Sequence, residues 1–138
     1  MGVYKEIEIN AEIENLHKVT EVLESIMKET GADQKTINNI NIAAEEIFVN
    51  IASHAYEERN GSVRIVFETK DDPLKAVITF MDRGRPFDPL KAPDPDKGRA
   101  CDEEAIGGFG IFMVKKIMDE ADYEYRENMN VFRMGKLL

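Results

Sequence analysis

The sequence lacks several residue types on which particular classes of protein depend. Its 138 residues include no tryptophan, one cysteine (Cys101) and two histidines (His17 and His54). A lone cysteine excludes an internal disulfide, and together with two histidines it cannot make a zinc cluster of familiar spacing. No apolar run approaches the ~20 residues that cross a bilayer, and the N-terminus has no apolar signal segment. We therefore expect a chain that stays in the cytoplasm.

Basic residues are also in short supply. The chain has 18 Lys and Arg against 27 Asp and Glu, which gives a net charge of −9. Nucleic-acid backbones and anionic membranes are bound through clustered cations, so this balance argues against both as direct partners. Aliphatic residues are plentiful, and a chain of this length can bury a self-sufficient core. We expect one domain over residues 1–138.

The spacing of apolar residues predicts the element order β-α-α-β-β-loop-α-β-β. A period of two predicts a strand over residues 3–9, and periods of three and four predict two helices. Gly31 is expected to end the first helix and Asp33 to cap the second, which runs toward the turn at Asn60 and Gly61. Strands over 62–69 and 76–81, a loop over 82–106, a third helix beginning at 107–110, and a hairpin of 122–126 with 131–136 across 128–130 complete the prediction.

Strands grouped with strands in this order predict an α+β two-layer sandwich. We expect one mixed, largely antiparallel sheet with three helices packed on one face.

The second helix carries a polar strip beside its apolar stripe. At ~100° per residue, Glu46 and Asn50 lie close together, with Ser53 and His54 nearby. An ionised Glu accepts a proton, whereas an Asn can hold a hard cation or its water. A solvated helix face is the alternative interpretation of the same pattern.

Asp82 ends the apolar strand V-I-T-F-M and is followed by Arg83 and Gly84. A carboxylate at that point can accept hydrogen bonds from an amino group in a pocket. The alternative is a turn in which the Asp side chain bonds its own backbone.

The segment Gly107-Gly108-Phe109-Gly110 places three glycines in four positions where a helix is expected to start. Exposed N–H groups and the positive end of a helix dipole would make an anion site there, best matched to phosphate. The preceding loop is long and holds four of the five prolines, which favours a lid or a binding loop. Glycines that serve only close packing are the alternative.

Other nucleotide-binding families can be excluded by their motifs. The chain has no G-x-x-x-x-G-K-[ST], no G-x-G-x-x-G after a strand, and neither H-R-D nor D-F-G. The chain therefore lacks the residues that define P-loop, Rossmann and ordinary protein-kinase folds.

A resemblance to a known family rests on three blocks of sequence. In chain order they are A-A-E-E-I-F-V-N-I-A-S-H-A-Y, F-M-D-R-G-R-P-F-D-P and G-G-F-G-I-F-M-V. The sequence resembles the GHKL ATPases of the Bergerat ATP-binding fold, and within them the small anti-sigma-factor serine kinases. The blocks span residues 43–114, and the element order outside them fits, so the resemblance covers essentially the whole chain.

The resemblance implies a role for each matching residue. Glu46 would be the general base, Asn50 would coordinate the Mg²⁺ bridging the ATP phosphates, and Asp82 would accept from the adenine amino group. Gly84 would let the backbone approach the base, residues 88–106 would form the ATP lid, and the turn would bind the cofactor through Gly108, Phe109 and Gly110.

The resemblance also implies partners and a reaction. The kinase would phosphorylate a Ser or Thr on an anti-anti-sigma (STAS-type) protein and sequester a sigma factor, and a homodimer is compatible with both roles. An ATP- or ADP-gated partner-switching module without phosphoryl transfer is the alternative function, and a structural adaptor is a third.

The sequence departs from the family pattern in three places. Residues 102–104 are acidic where relatives often carry a basic residue, so Arg99 is the candidate for the γ-phosphate. Pro86 stands where many members have a second glycine. Asn130 stands where a Gly-Thr pair is common and affects the adenine side of the site.

Overall fold

The computed structural model describes residues 3–55, 61–91 and 103–138, and for residues 54, 55 and 103–109 it describes the backbone alone. Five strands and three α-helices make up this part of the chain. In chain order they are β1 (Tyr4–Asn10), α1 (Leu16–Thr30), α2 (Gln34–Asn50), β2 (Ser62–Lys70), β3 (Lys75–Asp82), α3 (Glu103–Ile117), β4 (Glu120–Arg126) and β5 (Met129–Leu137).

The strands form one sheet in the order β1-β2-β3-β5-β4, and each of its four pairings is antiparallel. The predicted α+β architecture is confirmed, and the described sheet contains no parallel pair. The β3 and β5 strands pair although they are not consecutive in the chain. Their pairing places the ends of two central strands side by side, with Asp82 opposite Asn130.

The core lies between one face of the sheet and the three helices. Alternate strand residues such as Ile65, Phe80 and Phe132 are at most 4% exposed and share a cluster with helix residues such as Leu23 and Val114. Because strand side chains alternate between faces, this single cluster means that the helices cover one face only. None of the helices in the described ranges has the length and apolar character of a membrane span.

The predicted caps of the first two helices are confirmed. Gly31 adopts a left-handed backbone (φ 80°) at the end of α1, and its N–H donates to the Lys28 carbonyl at 3.2 Å. Asp33 precedes α2, and its side chain accepts the Thr36 N–H at 2.8 Å. These two residues set the short connection between α1 and α2.

The second helix changes form earlier than predicted. Its α-helical part ends at Asn50, and a π-helical turn continues over Ile51–Ala55. Residues 56–60, which include the predicted end of the helix, lie outside the described residues. The wider turn shifts the angular position of every residue after Asn50, which a fixed 100° spacing does not anticipate.

The third helix starts before the glycines, which corrects the predicted start at 107–110. It begins at Glu103 and includes Gly107, Gly108, Phe109 and Gly110. Glu-Glu-Ala is a strong helix-forming segment with acidic residues at its N-terminal end, which favours this earlier start.

The final hairpin also turns earlier than predicted. The turn consists of Glu127 (φ 52°) and Asn128 (φ 64°), and β5 begins at Met129. Positive φ at both central residues is the backbone of a type I′ turn, which matches the twist of the flanking strands. As a result, Asn130 belongs to a strand and not to the turn.

Candidate functional site

A small pocket opens where α2 meets the ends of β3 and β5. It is lined by Ile47, Asn50, Ile51, Asp82, Arg85, Phe87, Pro89, Tyr123, Asn130 and Phe132, and its enclosed space is about 30 Å³. Half of these side chains are apolar, and the polar groups among the rest would fix the orientation of anything bound. Phe87 stands at the rim and is 43% exposed.

Asp82 is the buried charge of this pocket. It is the last residue of β3 and is only 5% exposed. Its Oδ1 accepts the Gly84 N–H at 2.9 Å and a hydrogen bond from Asn130 Nδ2 at 2.9 Å. Burial raises the pKa of the Asp82 carboxyl, while these two hydrogen bonds act in the opposite direction. The backbone turn considered as an alternative is therefore present, but it uses one oxygen only.

Gly84 is buried directly beside that carboxylate. Its position supports the expectation that the backbone comes close to whatever Asp82 contacts, because a glycine adds no side chain there.

Asn130 connects three segments of the pocket. Its Nδ2 donates to Asp82 Oδ1 and to the Arg85 carbonyl at 2.8 Å, and lies 3.4 Å from the Gly84 carbonyl. Its Oδ1 accepts the Phe87 N–H at 3.1 Å and a short hydrogen bond from the Tyr123 hydroxyl. One side chain thus joins the end of β3, the loop that follows it, and β4.

Glu46 lies one helical turn before Asn50 and faces α3. Its carboxylate packs directly against Gly110, where an added Cβ would overlap Glu46 Oε2. Burial raises the pKa of the Glu46 carboxyl, and the neighbouring Glu45 carboxylate raises it further. The glycine at position 110 therefore lets the Glu46 carboxylate approach the backbone of α3 closely, and an added methyl group would displace that carboxylate.

Asn50 is half-buried and lines the pocket together with Asp82. Ser53 is exposed and does not line the pocket, and the side chain of His54 lies outside the described part of the structure. The π-helical turn after Asn50 shifts the angular position of Ser53 from that of a regular α-helix.

Gly108 and Phe109 lie within α3, and only their backbone is described. In a helix the N–H groups of Gly108 and Gly110 are directed to carbonyls four residues earlier. The predicted exposed N–H groups at a helix start are thus not present in this conformation. They would reach a phosphate only if the first turns of α3 opened, and three glycines in four positions weaken those turns.

Only the two ends of the predicted lid, residues 88–106, belong to the described chain. At its start Asp88 Oδ1 accepts the Leu90 N–H at 2.9 Å, which caps a short 3₁₀ turn over Pro89–Lys91. At its end residues 103–106 belong to α3.

Two arginines follow Asp82 closely in the chain. Both are exposed, and Arg85 lines the pocket whereas Arg83 does not. Arg99 lies outside the described residues.

Among the described residues, no group of three or more His, Cys, Asp or Glu side chains could hold a metal ion. Apart from Asp82, side-chain oxygens on the pocket lining belong to Asn50, Asn130 and Tyr123, and those of Asn130 and Tyr123 are hydrogen-bonded to each other. One amide ligand is compatible with Mg²⁺ only where phosphates and water complete its coordination.

Sequence reasoning does not identify two of the residues that build the site. From the sequence, Asn130 is noted only as a departure from a family pattern, and Tyr123 belongs only to a predicted strand. The signal for Asn130 is the hairpin: a two-residue turn at Glu127 and Asn128 puts it in β5 opposite Asp82. Tyr123 gives no such signal, because a tyrosine in an alternating strand is typical of packing.

Comparisons with known proteins identify a family and several proteins to which this chain is similar. Residues 9–136 match the family model of the histidine kinase-like ATPase domain. The serine-protein kinase RsbW of Staphylococcus aureus strain RF122 is 31% identical over 139 residues, covering 96% of this chain and 86% of that protein. The RsbW protein of strain MRSA252 is similar to the same extent.

Two solved structures share the fold. The RsbU and RsbW domains of Rv1364c from Mycobacterium tuberculosis match with a TM-score of 0.71 at 19% identity, over 99% of this chain and 32% of that one. The histidine kinase domain of the EL346 protein from Erythrobacter litoralis matches with a TM-score of 0.56 at 15% identity, over 94% and 62% respectively. The chain thus spans about a third of the mycobacterial protein.

A methyl group at position 110 should displace the Glu46 carboxylate. We expect Gly110→Ala to lower the pKa of Glu46 toward its ordinary value, because the side chain has to rotate out into solvent. Stability should change by less than about 1 kcal/mol, since alanine improves helix propensity by a similar amount. Carbon-13 NMR titration of the side-chain carboxyl measures the pKa. Gly135→Ala, whose methyl would meet Glu120 instead, is the matched control; an unchanged Glu46 pKa in Gly110→Ala would contradict the prediction.

Asp82 should lower the stability of the fold at neutral pH. A carboxyl whose pKa is raised on folding weakens the native state as it ionises. The penalty is absent below the unfolded pKa of about 4 and complete above the folded pKa. Asp82→Asn should therefore raise Tm by roughly 2–5 °C near pH 8, and the difference should vanish as the pH falls toward about 4.

Differential scanning calorimetry across that pH range measures this effect. Asp122→Asn, at an exposed position on β4, is the control and should leave Tm unchanged. A lower Tm for Asp82→Asn than for the wild type at pH 8 would contradict the predicted direction of the change.

Proposed function

The chain belongs to the histidine kinase-like ATPase family, on the side of the serine-protein kinases named RsbW, and on that basis we propose that it is an ATP-dependent protein serine/threonine kinase. The single observation that supports this most strongly is the pocket that contains both Asp82 and Asn50. A carboxylate at a strand end can accept a hydrogen bond from the amino group of a purine, and an amide on the facing helix can ligate a metal ion that phosphates hold.

Asp82 would recognise the base. Its Oδ1 is engaged by Gly84 and Asn130, which leaves Oδ2 to accept the adenine amino group. The exposed Phe87 side chain stands at the rim of the pocket, where it would contact an entering base.

Asn50 would act at the phosphate end. Its amide oxygen fits one coordination position of Mg²⁺, which neutralises charge on the phosphates when bound. The net charge of −9 makes such neutralisation important, since the field of the protein opposes a polyanionic ligand. Arg85 supplies a positive charge within the same pocket.

Glu46 would be the general base. The hydroxyl oxygen of a substrate Ser or Thr forms a bond to the γ-phosphorus while the bond to the β,γ-bridging oxygen breaks, ADP leaves, and Glu46 accepts the hydroxyl proton. Its raised pKa makes this carboxylate a better proton acceptor than an exposed glutamate. Positioning and charge neutralisation supply the rest of the rate enhancement.

The substrate and the regulated partner are also proposals. We infer an anti-anti-sigma (STAS-type) protein as the phosphoryl acceptor and a sigma factor as the protein held by the kinase. The identity to serine-protein kinases of the RsbW type over nearly the whole chain supports this inference.

Replacing the base should abolish transfer without abolishing binding. With labelled ATP, Mg²⁺ and the STAS-type protein encoded nearest to the kinase, Glu46→Gln should reduce label on the acceptor by about 10²–10⁴-fold. ATP affinity, measured by calorimetry, should change little. Glu68→Gln, on β2 and away from the pocket, is the control and should retain activity.

Tight ATP binding with no label transferred by either the wild type or Glu46→Gln would reject the kinase. It would favour the nucleotide-gated partner-switching module instead.

Removing the amide at position 50 should affect the metal-dependent part of the affinity. Asn50→Ala is expected to weaken ATP binding at least about tenfold in Mg²⁺ and much less in EDTA, because only the former uses the amide oxygen. Asn39→Ala, on the same side of α2 but about three turns earlier, is the matched control. An equal loss in Mg²⁺ and EDTA would remove Asn50 from the metal site.

A further inference from the structure

Asn130 uses its whole hydrogen-bonding capacity within the protein. A primary amide offers two N–H donors and two acceptor lone pairs. The donors go to Asp82 Oδ1 and the Arg85 carbonyl, and the acceptor oxygen receives the Phe87 N–H and the Tyr123 hydroxyl. Nothing remains for a ligand, so the direct partner of a bound molecule has to be another residue.

The orientation of this amide is fixed by its neighbours. The Phe87 N–H can only donate and the Arg85 carbonyl can only accept, so the oxygen faces Phe87 and the nitrogen faces Arg85. An N–H of Asn130 therefore faces Asp82, whose Oδ1 accepts it. At 5% exposure for both residues, the bond is protected from competition by water.

The hydrogen bond from Asn130 Nδ2 holds the Asp82 carboxylate in one rotamer. Gly84 and Asn130 both contact Oδ1, and within the described residues no donor contacts Oδ2. The second oxygen is thereby left for the pocket, on whose lining Asp82 and Tyr123 both lie. The same amide anchors the loop at Arg85 and Phe87, so the carboxylate and the pocket rim are set by one side chain.

We propose that Asn130, supported by Tyr123, is the positioning residue for base recognition: it orients Asp82 so that Oδ2 is presented to the exocyclic amino group of adenine. This inference rests on the proposed function, because it names how that site selects its base. Asn130 itself does not touch the nucleotide. Tyr123 acts one step further out, by donating its hydroxyl hydrogen to the Asn130 oxygen.

The test compares ATP with purine riboside triphosphate, which lacks the amino group at position 6. Wild-type protein should bind ATP about tenfold more tightly, the value of one hydrogen bond to a charged acceptor. Asn130→Ala should reduce this preference to about twofold or less, mainly by weakening ATP. Calorimetric titration in EDTA keeps the metal-dependent contacts out of the comparison.

Tyr123→Phe retains the ring and removes only the hydroxyl, so it keeps the test valid if Asn130→Ala does not fold. It should reduce the preference partially. Tyr125→Phe is the matched control, because Tyr125 lies two residues along the same strand and is 43% exposed. The control should keep the wild-type preference.

The outcomes separate the inference from the function on which it rests. Equal weakening of both nucleotides by Asn130→Ala, or an unchanged preference in Asn130→Ala or Tyr123→Phe, would overturn the positioning role while leaving Asp82 as the adenine contact. Equal binding of the two nucleotides by the wild type would overturn the adenine assignment itself, and the positioning role with it.

Discussion

The site depends on one buried carboxylate, that of Asp82, to which the surrounding structure donates two hydrogen bonds. A charge at the end of a central strand is unfavourable unless hydrogen bonds compensate for the lost water. Here the compensation comes from the Gly84 N–H and from the Asn130 amide, which the antiparallel register places opposite Asp82. The compensation is incomplete, since the pKa of Asp82 is still raised. A buried group that weakens the fold is typical of a binding site.

Much of the fold follows from local sequence rules. The apolar periods of α1 and α2, the left-handed Gly31 and the capping Asp33 are features of neighbouring residues, and the prediction of each is confirmed. The antiparallel sheet follows from strands grouped with strands. Of the site, Glu46, Asn50 and Asp82 are recognisable as candidates from the sequence alone, because their residue types suggest chemistry and the family motifs contain them.

The remainder depends on geometry that local rules do not give. A small shift of the hairpin turn decides whether Asn130 lies in a loop or opposite Asp82. The π-helical turn after Asn50 likewise changes which side chains follow the polar strip. The predicted start of α3 is wrong because the helix propensity of Glu-Glu-Ala outweighs the glycines that follow it. The hairpin and the π-helical turn thus depend on geometry outside the regular periods, whereas the start of α3 is a local preference that the three glycines obscure in the sequence.

The order of the strands links the site to the way the chain folds. The β2 and β3 strands, like β4 and β5, are joined by tight connections, whereas Asp82 and Asn130 are 48 residues apart and meet only when the two hairpins dock. Such distant pairings carry a larger loop-closure entropy than a hairpin does. An incompletely assembled chain would hold both hairpins and yet have no pocket. A ligand of this pocket therefore stabilises the docked pair of hairpins and neither hairpin alone.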